Sequence, residues 1–296
     1  MKGHRGSPVW WQRWDVMAGL SHEFSRHVVI LLLNLKVNGK PVESPYTGIL
    51  LEYRGLTFWI TAGHCAKEID DIQNARLDGV ELVAAKLLDT QKDRFAVQHI
   101  PIDLHRFKFI ALDRDGVDLG FTCLPELELR LLKANVDNRV ISTLAWKLED
   151  ARPEAYCLVG TPAEGLQIRN ERRTATTITR DVSAPLFCLP LKKIRRRPRE
   201  QPPEFWASRW APSCFYGKLL PFIGSDQGSI DIRGVSGGPV LSLQHDQGRT
   251  RYFLFAIQSK WLPDRRIICA TPVRLLLQMI DVVIETVQEQ LAKSPR

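Results

Sequence analysis

The chain has 296 residues, of which 44% are hydrophobic and 25% are charged, and its formal net charge is +8 at pH 7. This composition is typical of a globular protein and argues against a disordered chain. No apolar run approaches the roughly 18 residues that a membrane-spanning helix needs, and Arg13, Asp15 and Glu23 interrupt the N-terminal stretch that could otherwise resemble a signal peptide. We therefore expect a soluble, cytoplasmic protein that does not bind membranes.

The six cysteines are scattered at long intervals, and the chain is large enough to form a core without disulfides. We expect them to be free, buried thiols. No CxxC or HExxH pattern occurs, so the sequence predicts neither a metal site nor a cofactor.

Strand patterns begin after an N-terminal arm, residues 1–27, that carries three tryptophans. The first runs are VVILLLNLKV (28–37), TGILLEY (47–53) and LTFWITA (56–62), which are rich in β-branched and aromatic residues and are separated by turn-forming stretches. Further candidate strands are VELVAAKLL, RFAVQHI, FKFIAL, RVISTLAW, YCLVG, TATTITR, PLFCLPL, CFYGKLL, PVLSL, RYFLFAIQS and RIICATP. Many short strands without regularly alternating helices predict an all-β sandwich or barrel.

The last segment has a different pattern. Thr271 is a candidate N-cap and Pro272 suits the first helical position. Apolar residues then recur every three or four positions, which predicts one amphipathic helix packed on the β-rich body. These residues are Leu276, Ile280, Val283, Ile284, Val287 and Leu291.

Much of the positive charge lies in one segment, residues 192–209, which holds seven basic and two acidic residues. Its like charges and prolines resist regular structure, so we expect an exposed loop. Such a cluster can bind phosphate, which makes nucleic acid a candidate partner, although a solvated loop explains the same residues.

Ser236 is the candidate nucleophile. A serine hydroxyl needs a base to take its proton, and the developing oxyanion needs hydrogen-bond donors. In GVSGGPVL (234–241) the flanking glycines allow the N–H groups of Gly234 and Ser236 to point into one small space. An ordinary glycine-rich turn is the alternative interpretation of these residues.

His64 is the candidate base. It lies in FWITAGHCAKE (58–68), where an apolar strand ends in small residues and a short helical turn follows. That position places the ring at the end of a strand, where it can face a cleft. A satisfied or solvated histidine without a chemical role is the alternative.

The pairing of TAGHC (61–65) with GVSGGP (234–239) resembles the trypsin-like, chymotrypsin-fold serine peptidases, and the resemblance covers about residues 28–292. It implies two six-stranded antiparallel β-barrels with the catalytic groups in the cleft between them, followed by a C-terminal α-helix. The expected parts are an aromatic arm (1–27), a first barrel (28–125), a second barrel with the basic loop (126–270) and the terminal helix (271–296).

The family order of His, Asp and Ser places the aspartate between the two motifs. Asp118, in DGVDLGFTCLP, fits this position best, and Asp113 and Asp115 are competitors. The resemblance implies that Asp118 accepts a hydrogen bond from the His64 ring and stabilises the imidazolium as it forms.

Three further positions are implied to contact a protein or peptide substrate. FAIQSKW (255–261) resembles the strand along which the family pairs the substrate backbone, with Ser259 at the family's serine and Lys260 beside it. The position that selects basic side chains in trypsin is Ile230 here, with Asp231 adjacent. Trypsin-like specificity therefore does not follow.

Two departures separate the chain from the secreted peptidases. Val235 replaces the aspartate that pairs with a newly cut N-terminus, so activation by that ion pair is excluded. No cysteine precedes Cys65, so the disulfide that its secreted counterparts form cannot exist. The missing disulfide agrees with a reducing compartment, and the resemblance implies the stand-alone, intracellular bacterial type.

The leading hypothesis is a serine endopeptidase that is gated or highly selective, with a regulatory protein partner, acting as an effector in a bacterial regulatory or defence system. The first alternative is an α/β-hydrolase, because GVSGG also matches the G-x-S-x-G elbow, although only His245 follows the serine. The second is a catalytically silent peptidase fold that binds a partner, with nucleic acid contacting the basic loop.

Overall fold

The computed structural model describes residues 13–89, 99–114, 117–135, 140–141, 153–162, 167–173, 178–183, 186–194, 214–221, 231–246 and 249–293. The helices are α1 (Trp14–Ser25), α2 (Gly63–Gln73), α3 (Glu126–Asn135) and α4 (Val273–Lys293). Among these described segments, no helix combines the length and apolar character needed to cross a bilayer.

The first half of the chain forms a seven-stranded antiparallel sheet in the order β5-β4-β1-β2-β3-β7-β6. Hairpins connect β1 to β2 and β2 to β3, while β7 pairs with β3 across the sequence. The strands are β1 (Val28–Val37), β2 (Lys40–Tyr53), β3 (Leu56–Thr61), β4 (Val80–Asp89), β5 (His99–Ile102), β6 (Ile110–Arg114) and β7 (Val117–Cys123).

The second half forms a closed barrel of six antiparallel strands, β11-β12-β15-β14-β13-β8, and a separate hairpin of β9 and β10. The strands are β8 (Ala155–Gly160), β9 (Gln167–Arg173), β10 (Ile178–Ser183), β11 (Phe187–Lys193), β12 (Phe215–Leu219), β13 (Pro239–Asp246), β14 (Arg249–Leu262) and β15 (Ile267–Pro272). Closure leaves no free outer strand in this barrel, which is how all-β proteins avoid edge-to-edge association.

The predicted fold class, all-β with a C-terminal helix, is confirmed. The first sheet has seven strands rather than six because residues 99–114 supply both of its edge strands, β5 and β6. Of the predicted strand RVISTLAW (139–146), only residues 140 and 141 are described, and Ile141 forms a single parallel bridge to Leu51. Most of RFAVQHI and residues 195–209 of the basic loop lie outside the described residues.

Two helices were not predicted, and one boundary differs. The N-terminal arm contains α1, and the segment after β7 contains α3. The terminal helix begins at Val273, because β15 continues through Pro272. Thr271 is therefore a fully buried strand residue rather than the predicted N-cap.

One hydrophobic cluster joins the two halves of the molecule. Met17 and Phe24 of α1 belong to it, together with residues of the first sheet, the second barrel and α4. Helix α1 contacts β11 and β8 of the second barrel although it leads directly into β1 of the first sheet. The terminal helices thereby hold the sheet and the barrel against each other, along the line where the candidate site lies.

Candidate active site

His64 and Asp118 form a hydrogen-bonded pair at the end of the first sheet. His64 is the second residue of α2, directly after β3, and Asp118 is the second residue of β7, which pairs with β3. The His64 Nδ1–H donates to Asp118 Oδ2 over 2.8 Å, and the His64 backbone N–H donates to Oδ1 over 2.9 Å. Because Nδ1 is held as a donor, the other ring nitrogen, Nε2, is the one able to accept a proton from a neighbouring hydroxyl group.

Gly63 makes this close pairing of α2 and β7 possible. A Cβ at position 63 would lie 2.9 Å from Asp118 Oδ1 and would overlap the carbonyl oxygen of Leu112. Glycine is therefore required beside the histidine for a steric reason. The competing aspartates do not share the position: Asp113 lies in β6, opposite Asp118 in register, and Asp115 lies outside the described residues.

A third contact holds Asp118 from the second barrel. Asp118 is 1% exposed, and its backbone N–H donates to Thr271 Oγ1 of β15 over 3.4 Å. Thr271 was not predicted to contact the site, because no local pattern signals a contact between two residues so far apart along the chain.

The turn around Ser236 is fixed by backbone hydrogen bonds. The Gly237 N–H donates to Gln258 O, and the Gln258 N–H donates to Gly238 O, each over 2.9 Å. Within the turn, Gly238 N–H donates to Val235 O over 2.8 Å. Val235 is fully buried in the core of the second barrel, so the side chain that replaces the family's aspartate anchors the turn by apolar packing.

Gly237 brings this turn directly against the His64 segment. Its φ of +89° lies in the left-handed region that favours glycine. A Cβ there would overlap Thr61 Oγ1 and the carbonyl oxygen of Thr47, and would lie 3.1 Å from the backbone nitrogen of Ala62. The turn that carries Ser236 thus touches the chain two residues before His64.

The predicted oxyanion donors have no acceptor within the described part of the chain. There, neither the Gly234 N–H nor the Ser236 N–H makes a hydrogen bond, and Gly234 has a φ of +90°. The Ser236 hydroxyl is half-buried and, among the same residues, has no hydrogen bond to His64 or to any other group. Donors left without acceptors are what a developing oxyanion requires.

Two opposing influences act on the pKa of His64. Burial of the ring lowers the pKa, whereas the hydrogen bond to Asp118, the neighbouring Cys65 and the negative charge of Asp118 raise it. The net effect is a pKa raised above the ordinary value of about 6.5. The ring remains reachable, since 40% of its side chain is exposed.

Two of the three predicted substrate residues, Ser259 and Lys260, lie on β14 directly after Gln258, whose backbone bonds to the Ser236 turn. Ser259 occupies a bulge, and its hydroxyl donates to the Cys269 carbonyl oxygen over 3.1 Å. This hydrogen bond stabilises the pairing of β14 with β15. Lys260 is half-buried next to Ser259, whereas Ile230 lies outside the described residues. Pairing of β14 with β13 ends at Ile257, and Gln258 bonds to the Ser236 turn. Among the described residues, no strand pairs with Ser259 and Lys260 on that side. An extended peptide can pair there.

Strand direction and the local geometry argue against an α/β-hydrolase. That class needs a parallel sheet and a serine between a strand and a helix. Here every pair of named strands among the described residues is antiparallel, and the Ser236 turn leads into β13. In the described part of the chain, no group of three His, Cys, Asp or Glu side chains is arranged to hold a metal ion.

No family model and no curated protein matches the sequence. Similar solved structures include the Rv3671c protease from M. tuberculosis in its active form, with 11% identity over 92% of this chain and 88% of that one, and a TM-score of 0.44. Deg5 has 12% identity over 89% and 92% of the two chains, with a TM-score of 0.45. A catalytically inactive tobacco etch virus protease complexed with substrate has 13% identity over 84% and 78%, with a TM-score of 0.36. The identities and TM-scores are low, so the fold and the site are described from the strand order and contacts of this chain.

Proposed function

We propose that the protein is a serine endopeptidase in which Ser236 is the nucleophile, His64 the general base and Asp118 the residue that orients His64. The observation that carries this proposal is the docking of the Ser236 turn, through Gly237, against the segment that holds the His64–Asp118 pair. Two segments far apart in sequence, each with the residue type that acyl transfer needs, meet at one place.

The reaction follows from these groups. Ser236 Oγ attacks the carbonyl carbon of the peptide bond while His64 Nε2 takes the hydroxyl proton, and Asp118 stabilises the resulting imidazolium. The N–H groups of Gly234 and Ser236 donate to the oxyanion of the tetrahedral intermediate. The imidazolium then gives its proton to the leaving amine, and a water molecule hydrolyses the acyl-enzyme by the same transfers in reverse order.

Labelling by a fluorophosphonate probe tests the nucleophile directly, because the probe phosphonylates only an activated serine. We expect purified protein to be labelled, and Ser236→Ala or His64→Ala to abolish labelling. Ser44→Ala is the matched control, since Ser44 is a half-buried serine on β2 away from the turn, and it should be labelled normally. Undiminished labelling of Ser236→Ala would refute the assignment.

We further propose that the enzyme is gated or selective and that it cleaves protein substrates in the cytoplasm. A regulatory protein would control it, and it would act as an effector in a bacterial regulatory or defence system. Six free cysteines support a reducing compartment inside the cell. Uncontrolled proteolysis there would damage the cell's own proteins, and this supports gating or selectivity. We expect little cleavage of unrelated unfolded proteins by the purified chain, and rapid cleavage of them would contradict this proposal.

The division into an arm (1–27), two barrels (28–125 and 126–270) and a terminal helix (271–296) also stays a proposal. So does the alternative of a silent binding module that contacts nucleic acid through residues 192–209. Lys192 and Lys193, exposed at the end of β11, are the basic residues of that segment that the structure describes. Absence of labelling, even with candidate partners, combined with salt-sensitive binding of nucleic acid would favour this module over the peptidase.

A further inference from the structure

Two cysteines meet on the outer face of the second barrel. In the β12–β15 pair, Phe215 lies opposite Ala270 and Tyr216 opposite Cys269. Phe215 and Ala270 belong to the barrel core, so their sequence neighbours face outward. Cys269, Tyr216 and Cys214 pack together there in a small separate cluster.

The Cys214 side chain packs against Tyr216 and Cys269 in this cluster, and each of the two thiols changes the pKa of the other. Cys269 is 4% exposed and held in the β15 ladder, whereas Cys214 is half-buried. Cys214 is therefore the member of the pair that reagents can reach.

The surroundings of Cys214 favour its thiolate. Hydrogen bonding by Cys269 lowers the pKa of Cys214, and it is assisted by Tyr216 and by the positive charge of Lys260. Burial and the charge of Asp118 oppose this effect but do not reverse it. The thiolate is the form of cysteine that attacks oxidants.

A second cysteine pair in the same barrel differs in these respects. Cys157 in β8 and Cys188 in β11 also interact with each other, but both are deeply buried and both lie within paired strands. Burial raises the pKa of Cys188, whose sulfur lies 3.5 Å from Met17 Sδ. The pair should remain as thiols, which makes it an internal control.

We propose that Cys214 and Cys269 form an oxidisable dithiol that a hydroperoxide converts into an intrachain disulfide. The Cys214 thiolate attacks one peroxide oxygen, the O–O bond breaks, and hydroxide or alkoxide leaves as Cys214 becomes a sulfenic acid. The Cys269 thiol then displaces that hydroxyl, which forms the S–S bond and releases water. The two thiols are oxidised by two electrons and one peroxide is reduced.

Thiol mapping by mass spectrometry tests this proposal on the full-length protein. Protein treated with hydrogen peroxide is unfolded in urea and blocked with N-ethylmaleimide, then digested without reduction and searched for linked peptides. We expect two of the six thiols to become protected, a peptide pair containing Cys214 and Cys269, and full reversal by dithiothreitol. Ser236→Ala should give the same result, so this test is independent of the proposed peptidase activity.

Matched variants locate the reaction. Cys214→Ser should keep all its remaining thiols available to N-ethylmaleimide after peroxide, whereas Cys157→Ser should still form the Cys214–Cys269 link. The proposal is overturned if both Cys214 and Cys269 remain alkylated by maleimide in the unmodified chain, or if Cys157 and Cys188 link at the same rate. Mapping in the unmodified chain keeps the test decisive even where a variant folds poorly.

Discussion

The charge of the His64 ring should govern the pH dependence of the site. A general base must be neutral, and Asp118 raises the pKa of His64 above about 6.5. We expect the rate of fluorophosphonate labelling to rise with pH and to reach half its maximum above pH 6.5. The raised pKa also stabilises the folded protein below the unfolded-state pKa, and this contribution is lost as pH rises through the folded-state value.

Asp118→Asn separates this effect from a general loss of structure. The variant should label more slowly by a factor on the order of 10⁴, as expected when the histidine loses the carboxylate that fixes its tautomer. Its thermal unfolding should remain cooperative. A midpoint below pH 6 in the unmodified protein would show that Asp118 does not control the ring.

Gly237→Ala should damage both stability and reactivity. The new Cβ would be strained by the φ of +89° and would overlap Thr61 and Thr47, so the Ser236 turn must move away from His64. Gly39→Ala is the matched control, because Gly39 has a φ of +77° but open space around it. We expect Gly39→Ala to cost about 1 kcal/mol of unfolding free energy and to label normally, and Gly237→Ala to cost more and to lose most labelling.

Whether a site residue could be predicted depends on how far apart in sequence its contacts lie. His64 and Ser236 lie in short motifs whose neighbouring residues are themselves informative, and Asp118 could be ranked above its neighbours by its sequence context. Thr271 and Thr47 contact the site across the boundary between sheet and barrel, and nothing local distinguishes them from other strand threonines. Ile230 lies outside the described residues, so its predicted role stays a prediction.

The β2–β3 turn is tied to the terminal helix by side chains. Tyr53 Oη donates to both carboxylate oxygens of Asp281 over 2.9 and 3.0 Å, and Arg54 Nε lies 2.7 Å from the same carboxylate. Arg54 adopts a φ of +50°, which the turn requires. This contact connects α4, which follows the second barrel, to the first sheet.

Tyr53→Phe should lower the unfolding free energy by about 1 to 2 kcal/mol, because it leaves the Asp281 carboxylate with one fewer donor. A double-mutant cycle with Asp281→Asn, followed by urea denaturation, measures the coupling. We expect the two losses to be clearly less than additive. Additive losses would mean that the turn and the helix do not stabilise each other.

Whole elements were predicted best where the residue pattern is strong. β1 and β3 follow from runs of β-branched and aromatic residues and the terminal helix from its apolar periodicity, and all three begin within a few residues of the expected positions. α1 was not predicted, because the tryptophans of the N-terminal segment indicated only an aromatic arm, although Val16, Met17, Leu20 and Phe24 have a helical spacing. The start of α4 differs because pairing of β15 with β14 extends to Pro272, a long-range contact that outweighs the local capping signal.

The shared core of the molecule predicts a single unfolding transition. Phe24 is fully buried, and its ring packs edge-on against Tyr252 of the second barrel at 4.7 Å between centroids. Phe24→Ala should therefore cost about 3 to 5 kcal/mol and weaken both halves together. Urea unfolding followed by tryptophan fluorescence and by circular dichroism should give coincident curves.

Leu291→Ala is the matched control, since Leu291 on α4 is 70% exposed, and it should change stability by about 0.5 kcal/mol or less. Two separated transitions in the Phe24→Ala protein would mean that the sheet and the barrel are independent folding units. In that case the terminal helices would not hold the site together.

The path of α1 also determines when the site can form during synthesis. Domains generally fold as they leave the ribosome, N-terminal residues first, but α1 packs on β8 and β11, which are translated long after it. The contact of α1 with the barrel can therefore form only after β8 and β11 have been synthesised, and the Ser236 turn emerges later still. Under the proposed mechanism, a nascent chain that exposes His64 and Asp118 but not yet Ser236 lacks its nucleophile, so proteolytic activity should arise only after residue 236 has left the ribosome.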